Sequence, residues 1–234
     1  MHRSAVQEAP TITEIPPIDE ADLDATLNQI AASRGYVSNL MQTLALAPDG
    51  LRPFADLGEY CRFGTFLSEQ QRELAIVIAL RDVHYGWHHH APLARAAGIT
   101  EEQLLLIREG RTPRTLGPVE YALCDYAFEV NACRRIPPRV AEAMHEHFKP
   151  RQIVDIALLS AYYMAFAALA IGLDVEMEPP ETLQLEQEWR RNALMNADGA
   201  QTDRAQTAGA QADRAQTDRA QTAGTRAAEA NSEP

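Results

Sequence analysis

Apolar residues recur at helical spacing through most of the chain between residues 19 and 180, and each run opens on a signal that starts a helix. Ser68 and Gln71 precede Glu73 and the apolar stretch that begins at Leu74. That is the spacing of a capping box, in which a hydroxyl accepts from the third amide of the helix and the third side chain returns the bond. Thr100 and Gln103 repeat it before Leu104, Leu105, Leu106 and Ile107. Pro118 fits the first turn of a helix over 119–131, Pro137 and Pro138 that of one over 139–148, and Pro150 that of a long helix around Ile153. Proline is harmless there, because no carbonyl waits for its missing N–H. Gly98 closes a helix that begins near His84. Nearer the N-terminus, residues 21–32 and 39–47 carry apolar positions near helical spacing, with Gly35 between them and a Pro48, Asp49, Gly50 turn after them. No hairpin signal joins two alternating runs. The expected fold class is all-α, one domain of about eight or nine helices.

The apolar run 153–173 is long enough to cross a bilayer. Asp155 lies inside it, Ser160, Tyr162, Tyr163 and Gly172 dilute it, and no second span or basic flank of the usual kind accompanies it. The expectation is therefore a central helix buried on all sides and no membrane partner. Over 200–224 the pattern gives way to the pentapeptides AQTDR, AQTAG, AQADR, AQTDR and AQTAG, with almost no large apolar side chain to offset chain entropy. A five-residue period is too short for solenoid units. The organisation expected is a flexible segment 1–18, a helical domain 19–180, a short helical or irregular extension 181–198, and a low-complexity disordered tail 199–234.

Charge and cysteine content narrow the partners. Lysine and arginine total 21 against 33 acidic residues, and the net charge of −12 repels phosphate backbones, so no nucleic acid is expected. Three cysteines, Cys61, Cys124 and Cys133, are too few for a disulfide framework, and the first residues lack the apolar core of a secretory signal. A cytoplasmic protein with reduced thiols is expected.

Candidate chemistry concentrates at Tyr85, Trp87, His88, His89 and His90, directly after the apolar helix that Glu73 heads. At about 100° per residue, three consecutive histidines do not share one face. His84 and His88 stand four apart, the spacing of a two-histidine metal clip, whereas His90 shares its face with Gly86 and Trp87. Glu73 either complements the positive end of its helix or, once buried, needs a partner, for which Arg72, Arg81 and the histidines are candidates. An imidazole that titrates near neutral pH, oriented by a carboxylate and shielded by aromatic rings, describes a proton-transfer site. The plainer alternative is that Tyr85 and Trp87 pack an interface and the histidines are partly solvated at a helix start.

The order of these residues resembles the carboxymuconolactone decarboxylase and alkylhydroperoxidase D-like superfamily. Its members run from an arginine-glutamate pair through an apolar helix to a tyrosine-x-tryptophan segment, then a histidine, a proline and an Ala-Gly stop. Here those are Arg72, Glu73, Tyr85, Trp87, His90, Pro92, Ala97 and Gly98, within LSEQQRELAIVIALRDVHYGWHHHAPLARAAGITEEQ, and the likeness extends over residues 23–178. Peroxidase members carry Cys-x-x-Cys-x-x-x-His. Matched on His90, Val83 and Gly86 fill the two cysteine positions, and neither forms a thiolate.

The resemblance thus implies the decarboxylase-like branch, a carbon–carbon lyase using no metal and no organic cofactor. Its reaction would be decarboxylation or proton transfer on a small carboxylated or oxo substrate in aromatic catabolism or biosynthesis. It implies His90 as proton donor and Glu73 as its orienting or relaying carboxylate, with His88 stabilising developing negative charge. Tyr85, Trp87 and His89 would shape the pocket, and Arg81 or Arg95 has the charge to anchor a carboxylate. A homo-oligomer, trimeric or hexameric, is implied as well. The stretch from Glu73 to His90 is about two residues shorter than in the family, and two residues turn a helix by about 200°. The loop near 81–83 therefore decides whether the pair face each other. The competing readings are a metal-dependent enzyme using His84 and His88, an alkylhydroperoxidase-like protein without the usual cysteines, and a non-enzymatic binding or assembly protein.

Overall fold

The computed structural model describes residues 25–185 and residue 188. The chain divides into two units, 1–187 and 188–234, and the first contains every element discussed below. The segment 1–18 and the tail 199–234 lie outside the described residues; of the extension 181–198, residues 181–185 and 188 are described and helical.

Among the described residues the fold is all-α: α1 (Ala25–Arg34), α2 (Asn39–Leu44), α3 (Pro48–Glu59), α4 (Glu69–Leu80), α5 (His84–Ala96), α6 (Glu101–Arg108), α7 (Pro118–Asn131), α8 (Pro138–His147) and α9 (Pro150–Gly172), with a π-helical turn, Tyr60–Gly64, after α3. Both capping boxes form. Gln71 N donates to Ser68 Oγ and Ser68 N to Gln71 Oε1, and Thr100 and Gln103 repeat the exchange at the start of α6. Gly98 takes a positive φ of 90° just past the end of α5, as a helix stop requires.

Two expectations are corrected. Pro48, Asp49 and Gly50 form the first turn of α3 and not a free turn. Proline at the first helical position and an acid beside it suit a helix start as well as they suit a turn. The helix buried on all sides is α4, not α9. From Arg72 to Ile78, and again at Leu80, α4 is covered by α5, α7 and α9. Each of its buried Leu, Ile and Val side chains contributes about 1.5–3 kcal/mol. In contrast α9 buries one face and leaves Val154, Leu158 and Ile171 exposed.

Asp155, the acid inside the apolar run, points inward and is buried. Tyr60 Oη donates to its Oδ1 at 2.6 Å and Phe66 N to its Oδ2 at 3.2 Å, so the carboxylate ties the π-helical turn to α9. That bond to Asp155, helped by burial, pushes the Tyr60 hydroxyl above its ordinary pKa.

The α4 and α5 helices form a hairpin through residues 81–83. The hairpin is tight because Gly86 lies on Leu80: a Cβ at position 86 would stand 2.5 Å from a Leu80 methyl, which is itself fully buried. Overpacking of this kind costs about 1–3 kcal/mol. Gly86→Ala is accordingly expected to lower unfolding free energy by that amount in urea titration, and an unchanged midpoint would show that the hairpin has slack.

Candidate active site

The hairpin sets Glu73 and His90 at nearly equal distances from its turn, about 10 Å along each helix at 1.5 Å per residue. Both side chains are buried, and His90 Nδ1 lies 3.0 Å from Glu73 Oε2. A carboxylate has only acceptors, so Nδ1 carries the hydrogen and donates it. The short turn thus brings the pair face to face.

His89, the preceding residue, points elsewhere and makes a second pair of the same kind. Its Nε2 donates to Oε2 of Glu178 at 2.8 Å, and both side chains are buried. Glu178 comes from the segment after α9. Its Oε1 accepts from the Tyr85 hydroxyl and, at 2.8 Å, from the Asn39 amide at the start of α2. Burial alone pushes the Glu178 carboxyl up, but the hydrogen bond and charge of His89, with the Tyr85 and Asn39 donors, outweigh it and hold the group below its ordinary value.

Aromatic rings connect the two pairs. Tyr163 meets His90 edge-on at 4.9 Å, Phe166 lies 5.8 Å from Tyr163, Tyr85 stacks 5.9 Å from Phe166, and His89 lies 4.7 Å from Tyr85. Helix α5 therefore contributes three residues, and α9 lays two rings between two carboxylate–imidazole pairs.

The remaining candidates lie apart from these pairs. His88 is exposed, on the same side of α5 as the exposed His84, with ring centroids 6.1 Å apart. No group of three or more side chains suited to a metal ion occurs among the described residues, so this clip has two members. Trp87 is half-buried, with the Arg108 guanidinium 4.9 Å above its ring. Arg81 ends α4 about 12 Å along the helix from Glu73. There it bonds the Ile78 carbonyl at 3.0 Å and Asp82 at 3.2 Å. Arg95 pairs with exposed Glu101. Of the cysteines, burial pushes Cys61 up to about 11 and raises Cys124 further, and Cys133 is exposed. Neither buried thiol has the lowered pKa of a reactive nucleophile.

Glu178, Tyr163 and Phe166 escaped the sequence reading. Glu178 lies 93 positions from Tyr85, and no local pattern sets it apart from the exposed Glu176 nearby.

No family model matches the chain, and no curated protein matches it. Solved structures do. An uncharacterized peroxidase-related protein from Silicibacter sp. TM1040 superposes with a TM-score of 0.61 at 18% identity, covering 77% of this chain and 98% of that one. The alkylhydroperoxidase AhpD core protein of Ralstonia eutropha JMP134 gives 0.59 at 20% identity, over 75% and 93% of the two chains. The chain has the alkylhydroperoxidase D-like fold. The debrominase Bmp8 in complex with 2,3,4-tribromopyrrole shares it, with a TM-score of 0.59 at 15% identity over 77% of this chain and 100% of that one. At such identities the likeness is one of fold, and residue roles in this chain rest on its own geometry.

Because Glu178 binds its proton less tightly folded than unfolded, it stabilises the fold above the ordinary carboxylate value of about 4.3. That stabilisation is lost as pH falls through the lowered folded value. Denaturation of wild type and Glu178→Gln should differ by about 1–3 kcal/mol at pH 7. The gap should narrow as pH falls below the ordinary carboxylate value; parallel curves would show that the carboxylate is not charged in the fold.

Proposed function

We propose that the protein is an enzyme that decarboxylates, or moves a proton on, a small carboxylated or oxo substrate, with His90 as the proton donor. The observation that carries this reading is the buried contact between His90 Nδ1 and Glu73 Oε2. With Nδ1 held by the carboxylate, Nε2 is the ring atom that exchanges a proton with substrate. Glu73 fixes the tautomer, orients the ring and stabilises the imidazolium.

In a decarboxylation the bond to the carboxylate carbon breaks, carbon dioxide leaves, and the electron pair passes into the adjoining carbonyl system as an enolate. The imidazolium gives its Nε2 proton to carbon, a C–H bond forms, and the neutral ring recovers a proton from water. The rings of Tyr163, Phe166 and Tyr85 limit water around this step, which strengthens the charge interactions that guide it. Thiolate chemistry at His90 finds no support, since Val83 and Gly86 occupy the positions at which peroxidase members carry cysteines. The fold shared with a debrominase and with peroxidase-related proteins supports an enzyme of some kind.

Carboxylated lactones and β-oxo acids, assayed for carbon dioxide release and for deuterium uptake from heavy water, test the proposal. Wild type is expected to act on at least one of them. His90→Ala should lose about 10²–10⁴-fold in turnover, Glu73→Gln less, and both should keep the helical circular dichroism of wild type. Full activity in His90→Ala, or no turnover of any compound by wild type, overturns it.

A further inference from the structure

The loop 111–117 that joins α6 to α7, together with α7 and the start of α8, borders two clefts of about 540 and 340 Å³. They share Tyr121, Asp125 and Arg139 as a common rim, and neither contains Glu73, His89, His90 or Glu178. Volumes of this order suit a small molecule. On a chain with a net charge of −12, the wider cleft collects three arginines, Arg111, Arg114 and Arg139, against two carboxylates, Glu102 and Asp125. Its lining therefore has one positive charge in excess.

Its acceptors are engaged and its donors are not. Half-buried Asp125 accepts from the Thr112 hydroxyl at 2.6 Å and from the Arg139 guanidinium at 3.0 Å, which ties the loop and α8 together as walls. Glu102 stands in the first turn of α6, where it complements the positive end of that helix. Arg111 turns to the exposed Glu109 at 2.9 Å, a contact that solvent screens. Arg114 pairs with no carboxylate of the described residues. One position on, Thr115 Oγ1 accepts from Nε2 of the buried Gln103 at 3.2 Å, so its own hydrogen is left to give. A guanidinium fork and a hydroxyl on adjacent residues thus await an acceptor.

We propose that these clefts bind a small carboxylate with a flat apolar body, its carboxylate on Arg114 and Thr115 and its body on the Tyr121 ring. An arginine fork and a carboxylate match in geometry as well as in charge. Tyr121 is exposed on the shared rim, where its face is open to stacking. Beyond it the second cleft is lined by Leu116, Ala122, Val140 and Ala143, an apolar surface for the far end of the ligand. The single excess charge suits a monoanion. A phosphate dianion would bring a second negative charge against Glu102 and Asp125 in the same space, a like-charge contact that disfavours it.

Calorimetric titration of the full chain with benzoate at low salt tests this, with benzyl alcohol as the uncharged analogue and phenyl phosphate as the dianion. Benzoate should bind once per chain and more tightly than either. Arg114→Gln should weaken it about 10-fold or more, as the loss of a charge-assisted bond does. Thr115→Val should weaken it by a smaller factor. Both positions are exposed, so circular dichroism should be unchanged. His90→Ala should bind benzoate as wild type does, which separates this site from the buried imidazole and makes the result independent of any turnover. Absence of benzoate binding overturns the proposal. So does benzyl alcohol or phenyl phosphate binding as tightly as benzoate, an affinity unchanged by both cleft substitutions, or binding that disappears in His90→Ala.

Discussion

A carboxylate cannot stay ionised inside an apolar helix bundle without donors aimed at it, and the structure meets this demand repeatedly. Helix α4 is covered on all sides, so Glu73 enters the core with it, and the group that answers is His90 across the hairpin. That requirement binds the two helices to one register. It needs a short turn, a level crossing of the two residues, and the absence of a Cβ at Gly86 where α5 starts against Leu80.

The same rule explains Asp155 and Glu178. Asp155 sits in the least polar of the described helices because Tyr60 and the Phe66 amide supply its bonds. Glu178 closes the segment after α9 onto α2 and α5, accepting from Asn39, Tyr85 and His89. Helix α5 is the junction of these demands. Consecutive residues on a helix diverge by about 100°, so His88 reaches solvent, His89 turns to Glu178 and His90 turns to Glu73. The helix that separates the histidines also lets them serve different carboxylates, with the rings of α9 between.

Much of the fold was legible in the sequence because its signals are local. A capping box needs four residues, and both boxes form at Ser68 and Thr100; Pro118, Pro138 and Pro150 start helices as their missing N–H permits. The turn at Pro48 misled because proline, aspartate and glycine satisfy a free turn and a helix start alike, and only the residues packed beyond it choose. Helix α9 misled for another reason. An apolar run reports the affinity of its side chains for a dry surface and carries no record of which surface, so a helix covered by its own chain and one with a face left over read the same.

By itself the sequence determined the helices, their order, the aromatic and imidazole cluster, and the nomination of Glu73 and His90, all properties of residue type and short spacing. Tertiary structure alone decided which imidazole meets which carboxylate. The phase of α5 against α4 depends on the backbone path through residues 81–83, and the arrival of Glu178 depends on a chain that returns after 93 positions. Neither is a local preference of any residue; both follow from how the helices close around α4.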